Sequence, residues 1–242
     1  MDELRAGGSY LLQDAQAFLQ RGLCLDPSQS WTNDERERQL RDEVACLADF
    51  AESRRLWLPE DAVQGLSEGG QEHDYKLLGD PEPLWVCRAT KDGYGFYPQA
   101  HPILHISPGT PFQYFTRMLL MEQLHSFLRC ELEGFVRRSG QIIIVTRQIY
   151  IPGRPLTEET RDDSPKRPLR LIEHWFQQRG YQKLHLSQSV GPSMAWYHRE
   201  ENIAVFDAKP ANILIWEDTL FPVDVIPVQP TGLLLKKILT AL

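Results

Sequence analysis

Apolar residues recur at helical spacing over the first fifty positions, and the pattern then switches to short strand-like runs. In residues 9–23, Leu11, Leu12, Ala15, Phe18 and Leu19 form one stripe, which predicts a helix. A Pro-Ser loop at 26–30 leads to a second helix starting at Thr32, where Glu35 completes a capping-box pattern. Its apolar face is Leu40, Val44, Leu47 and Ala51. The charges of Arg36, Glu37, Arg38, Arg41 and Asp42 fall mostly elsewhere and read as a solvated face. Ser67-Glu68-Gly69-Gly70 ends the helical pattern. Residues 72–78 and 84–90 read as strands joined by a Pro-rich turn at 79–83, Lys91-Asp92-Gly93 as a turn, and the Pro-rich stretch up to Gly109 as a loop. Thr110-Pro111-x-Gln113 opens a helix carrying Phe115, Leu119, Leu120, Leu124 and Phe127 to about Leu128.

Ser139-Gly140 separates strands at 132–137 and 141–150. The run Ile142-Ile143-Ile144-Val145 is too apolar for a strand wetted on one face, so it predicts a central, buried strand. Residues 151–155 break the pattern, and 157–168 read as a polar surface loop. Leu169, Ile172, Trp175 and Phe176 predict a helix ended by Gly180. Short strands follow at 195–197, 203–206, 213–216 and 220–225. A terminal helix at 232–242 is expected to bury Leu233, Leu234, Ile238 and Leu239. The order of elements predicts an α+β layout with a hinge near Ile151.

Composition narrows the function classes. The 242 residues are 42% apolar and 24% charged, which excludes disorder as a description of the whole chain. A net charge of −7 argues against a sequence-independent grip on nucleic acid. Cys24, Cys46, Cys87 and Cys130 form no CxxC pair, so reduced thiols and a cytoplasmic setting are expected. The first residues lack the basic and apolar regions of a secretory signal. No apolar run approaches the roughly 20 residues that span a bilayer. His101 and His105 have the spacing of a helical zinc pair, but Pro102 and the absence of a placed third ligand read as loop. His198-Arg199-Glu200 reads as a hairpin turn, and Gly93-x-Gly95 lacks the context of a dinucleotide fingerprint.

The chemistry concentrates in Asp207-Ala-Lys209-Pro210-Ala-Asn212, followed by Pro222-Val-Asp224. One tight turn after a strand would project a carboxylate, an ammonium and a carboxamide, and the next strand a second carboxylate. Two carboxylates and an amide oxygen suit Mg2+, and a lysine beside them suits a transferring phosphoryl group. A turn with exposed Asp, Lys and Asn is the plainer alternative.

This segment resembles the catalytic loop of the protein-kinase-like superfamily, in which an Asp precedes a Lys-Pro pair and an Asn. Upstream pieces resemble, in order, the kinase-like domain of phage and mobile-element polyvalent proteins: Gly69-Gly70-Gln71-Glu72-His73, Trp85-Val86-Cys87-Arg88, Thr110-Pro111, Leu132-Glu133-Gly134-Phe135 and the stretch from Val145 to Gly153 that contains Gln148. The resemblance covers about residues 66–228. It implies a two-lobed fold with a helical extension at 1–62, a nucleotide lobe at 63–147 and a reduced C-terminal lobe at 148–242. The extension is expected to pack on the nucleotide lobe or serve a protein partner.

The resemblance also implies ATP and Mg2+ as cofactors and an unidentified hydroxyl as acceptor. Asp207 would be the catalytic base and Lys209 would contact the γ-phosphate. Asn212 and Asp224 would hold the metal, Gly69 and Gly70 would cover the phosphates, and Gln148 would lie in the adenine hinge. Arg88 stands where kinases carry a phosphate-pairing Lys. Glu122 is the expected partner for it, with Glu72 as alternative. Asp224 is not followed by Phe-Gly, and the chain after it is too short for an activation segment or a peptide-binding lobe. An inactive, nucleotide-binding or purely interacting relative is therefore the second expectation.

Overall fold

The computed structural model describes residues 7–23, 33–79, 82, 84–91, 93–100, 103–157, 167–186 and 194–242. The expected loop at 26–30, Thr32, Cys24, Asp92, His101 and most of the 79–83 and 157–168 segments lie outside these residues. The architecture is α+β, and all the strand pairs with a described register are antiparallel. No helix among the described residues is long and apolar enough to cross a membrane. Two units divide the chain, one built from residues up to Phe96 and Pro108–Tyr150, the other from Tyr97–Ser107 and Ile151–Leu242.

The first unit centres on a four-stranded sheet of β1 (His73–Leu78), β2 (Trp85–Thr90), β5 (Cys130–Arg138) and β6 (Gln141–Ile149), in the order β1-β2-β6-β5. The Ile142–Val145 run lies on an interior strand, as its composition predicts. Its two faces feed two cores. Ile142 and Ile144 pack with Leu12, Phe50 and Phe115 of helices α1 (Gly7–Leu23), α2 (Asn33–Arg54) and α3 (Pro111–Leu124), while Ile143 and Val145 pack with Val63, Ala89 and Val136. The helices of residues 7–54 thus share a core with the sheet. The boundary expected at residue 62/63 does not coincide with a break between units, and the break near the expected hinge falls at Ile151.

Gly134 allows this packing. It adopts φ +155° at a bulge in β5, and an added Cβ would lie 2.5 Å from the Leu56 carbonyl. The segment after α2 can therefore run beside β5, with Phe135 N–H donating to Leu56 O and Leu58 N–H donating to Phe135 O. The capping box at α3 forms as predicted, Gln113 N–H donating to Thr110 Oγ1 and Thr110 N–H to Gln113 Oε1. The helix stops at Leu124, short of the expected Leu128, because His125 turns extended at φ −162° and a separate 3₁₀ turn covers Ser126–Leu128.

The second unit has one sheet in the order β13-β10-β9-β8 and another in the order β12-β11-β7. The strands are β7 (Arg154–Pro155), β8 (Gln182–Lys183), β9 (Trp196–His198), β10 (Ile203–Phe206), β11 (Leu214–Trp216), β12 (Thr219–Phe221) and β13 (Ile226–Val228). Helix α4 (Arg167–Gln177) places Phe176 flat on Trp196, ring centroids 4.9 Å apart, and Gly180 ends it at φ +82°.

The sequence misjudged two features here. The stretch read as a Pro-rich loop contains a two-stranded sheet of β3 (Phe96–Gln99) and β4 (His105–Pro108). Pro98 and Pro108 are tolerated because every strand of a two-stranded sheet has an unpaired edge. In the terminal helix α5 (Gly232–Thr240) only Ile238 is buried. Leu233 and Leu234 are half-buried and Leu239 is exposed, since the helix presents one narrow stripe.

Candidate functional site

Asp207 follows directly on β10, whose four residues are all buried. Its backbone is left-handed, at φ +54°, a conformation that a short polar side chain tolerates better than most. Arg55, Ser139, Asn202, Glu217 and Asp218 adopt it too, so the conformation by itself does not single this turn out. The neighbouring Ala208 N–H donates to Met194 O and fixes the turn from outside.

The side chains close on one another. Lys209 Nζ donates to Asp207 Oδ2 at 3.0 Å, and Asn212 Nδ2 donates to the same oxygen at 2.8 Å and to the Asp207 carbonyl at 2.9 Å. Two acceptors facing one amide end fix its orientation, because only the nitrogen can donate to both. Asn212 Oδ1 and Asp207 Oδ1 have no partner among the described residues. Asn212 is buried in a 3₁₀ turn, Pro210–Asn212, whereas Lys209 is half exposed. An ion pair so exposed is worth little, so the ammonium is free to exchange the carboxylate for a phosphate.

Asp224 is joined to this group through the backbone, its N–H donating to Asn212 O at 3.2 Å. It lies in a turn between β12 and β13, not on the strand expected at 220–225, and its side chain is exposed. The structure thus brings Asp207, Lys209, Asn212 and Asp224 together within the second unit.

No group of three His, Cys, Asp or Glu side chains suited to a metal occurs among the described residues. The oxygen donors here are the carboxylates of Asp207 and Asp224 and the amide oxygen of Asn212, a set that fits Mg2+ when phosphate oxygens and water complete its shell.

The remaining predicted residues belong to the first unit. Arg88 lies on β2 opposite Thr146 and Tyr75, half-buried, its side chain with no hydrogen-bond or ion-pair partner among the described residues. Neither expected glutamate serves it. Glu72 is held by Arg117 at 2.5 Å, a buried pair packed over Gly95, and Glu122 lies 4.0 Å from Arg129. Gln148 is buried on β6 opposite Val86 and Cys130. At Gly69 an added Cβ would collide with the His73 carbonyl, so this glycine is required by the local chain. At Gly70 an added Cβ would meet nothing.

Sequence reasoning missed three buried polar groups of this unit. Glu43, fully buried on α2, accepts from Gln39 Nε2 at 2.6 Å and from Phe112 N–H at 2.8 Å, capping α3 from another helix. Burial raises its pKa. Arg117 is buried on α3, and His73 shares a 3.2 Å hydrogen bond with the Tyr114 hydroxyl. Burial, reinforced by the charges of Arg88, Arg117 and Lys91, holds the His73 pKa well below its ordinary 6.5, so the ring is neutral at pH 7. The signal available was a charged residue interrupting an apolar stripe, Glu43 beside Val44 and Arg117 beside Met118. The described cysteines, Cys46, Cys87 and Cys130, are free thiols.

The chain matches no protein-family model, no curated protein and no solved structure.

Proposed function

We propose that the chain is a kinase-like phosphotransferase that binds Mg-ATP and passes the γ-phosphoryl group to a hydroxyl acceptor. The observation that carries this reading is the Asp207–Lys209–Asn212 network, with Asp224 hydrogen-bonded to its edge. Asp207 Oδ1, left unused by Lys209 and Asn212, accepts the proton of the attacking hydroxyl. Lys209 leaves its exposed pairing to neutralise charge on the transferring group. Asn212 Oδ1 and the Asp224 carboxylate hold the cation, because the Asn212 nitrogen is committed to Asp207. Bound Mg-ATP supplies the phosphoryl group and the divalent charge.

A thermal shift with Mg-ATP tests the nucleotide claim. Wild type is expected to gain several degrees with Mg-ATP and little with ATP plus chelator, and Asp224→Ala is expected to lose the metal-dependent part. No shift in wild type would overturn the reading.

One observation favours a second reading, a nucleotide-binding scaffold without turnover. Arg88 lacks the carboxylate partner that would orient it, since Glu72 and Glu122 pair elsewhere. Metal-dependent binding without measurable ATP turnover would select this reading.

A further inference from the structure

The first unit holds a cavity of about 850 Å³ between α2, the turn after β2 and the β5–β6 hairpin. Its size falls in the range of roughly 300–1,000 Å³ that suits small-molecule ligands. The floor is apolar: Leu40, Val44 and Ala48 from α2, with Tyr94 and Ile142. Leu40, Val44 and Ala48 are only partly buried, although they continue the stripe that packs on the main core.

The mouth is cationic. Of its four basic residues, Lys91 is neutralised by Asp74 at 3.1 Å, and Arg137 lies 4.2 Å over the Trp57 ring. The side chains of Arg41 and Arg138 have no hydrogen-bond or ion-pair partner among the described residues, and no described carboxylate lines the cavity. A chain of net charge −7 does not produce such a mouth through a generally basic surface. An apolar floor beneath two unpaired guanidinium groups is complementary to a molecule with an apolar body and one anionic head. Either a carboxylate or a phosphate fits a guanidinium fork.

The geometry points to this cavity as a binding site for a small anionic amphiphile, independent of the phosphotransfer reading. Isothermal titration of the full chain with dodecanoate and with dodecyl phosphate, each below its micelle concentration, tests it and separates the two head groups. At least one is expected to bind with 1:1 stoichiometry, and dodecyltrimethylammonium at least tenfold more weakly. Arg41→Glu/Arg138→Glu changes two exposed side chains and is expected to lower affinity at least tenfold with an unchanged melting temperature. Ala48→Phe, which narrows the floor, is expected to abolish binding if it folds, and the arginine variant decides if it does not. Failure of both anions to bind, equal binding of the cationic amphiphile, or unchanged affinity in the arginine variant would overturn the proposal.

Discussion

Asn212 holds Asp207 twice, through one amide nitrogen shared between the Asp207 carboxylate and its own backbone carbonyl. The two bonds brace a residue held in the left-handed region at φ +54°. They also commit the Asn212 nitrogen and leave its oxygen without a partner among the described residues. Asn212→Ala is expected to destabilise the protein by about 1–3 kcal/mol, the loss of two part-buried hydrogen bonds, one of them to a charged group. Urea denaturation measures this, and a loss below about 0.5 kcal/mol would mean that the turn holds itself.

Glu72 and Arg117 form a nearly buried ion pair, 10% and 3% exposed. Arg117→Met alone strands a buried carboxylate and is expected to cost about 3–5 kcal/mol. Arg117→Met/Glu72→Gln is expected to recover most of that. A double-mutant cycle by chemical denaturation checks it, and strict additivity would show that the pair is not coupled.

Glu43 caps α3 from α2 at the expense of its own solvation. Its folded pKa is raised, so the folded state binds this proton more tightly than the unfolded chain does. Its contribution to stability is therefore greatest at acid pH and falls as pH rises from the ordinary 4.5 through the raised value. The stability of wild type relative to Glu43→Gln is expected to decline over that interval. A flat difference across it would contradict the burial account.

His73 has the opposite sign. A neutral buried imidazole favours the unfolded state once that state can take up a proton. Stability is then expected to fall as pH drops below 6.5 and to keep falling toward the depressed folded value. His73→Gln removes this group, and its denaturation curves should lose that part of the acid dependence while the Glu43 component remains.

Much of the local architecture was legible before the structure. Helical stripes in residues 9–23 and 40–51 set α1 and α2, and Ser139-Gly140 between apolar runs set the β5–β6 hairpin. The Thr110/Gln113 box was readable because both partners lie within one turn. The candidate network was readable for the same reason, since Asp207, Lys209 and Asn212 span six positions. Long-range relationships were not. The Glu72–Arg117 pair joins residues 45 positions apart and the Glu43 cap joins residues 69 apart. Neither periodicity nor spacing carries such distances. The β3–β4 pair was hidden because its prolines read as loop, and Asp224 was placed on a strand because the turn at Pro222 lies inside an apolar run.

The phosphotransfer claim rests most directly on the Asp207 carboxylate. Mg-dependent ATP turnover should be measured by phosphate or ADP release in wild type and Asp207→Ala, with correct folding of each confirmed by its melting curve. The account predicts metal-dependent turnover in wild type and a loss of about 10²–10⁴-fold in the variant, the range expected for removal of a general base. Equal turnover in the two proteins, or turnover indifferent to Mg2+, would contradict it.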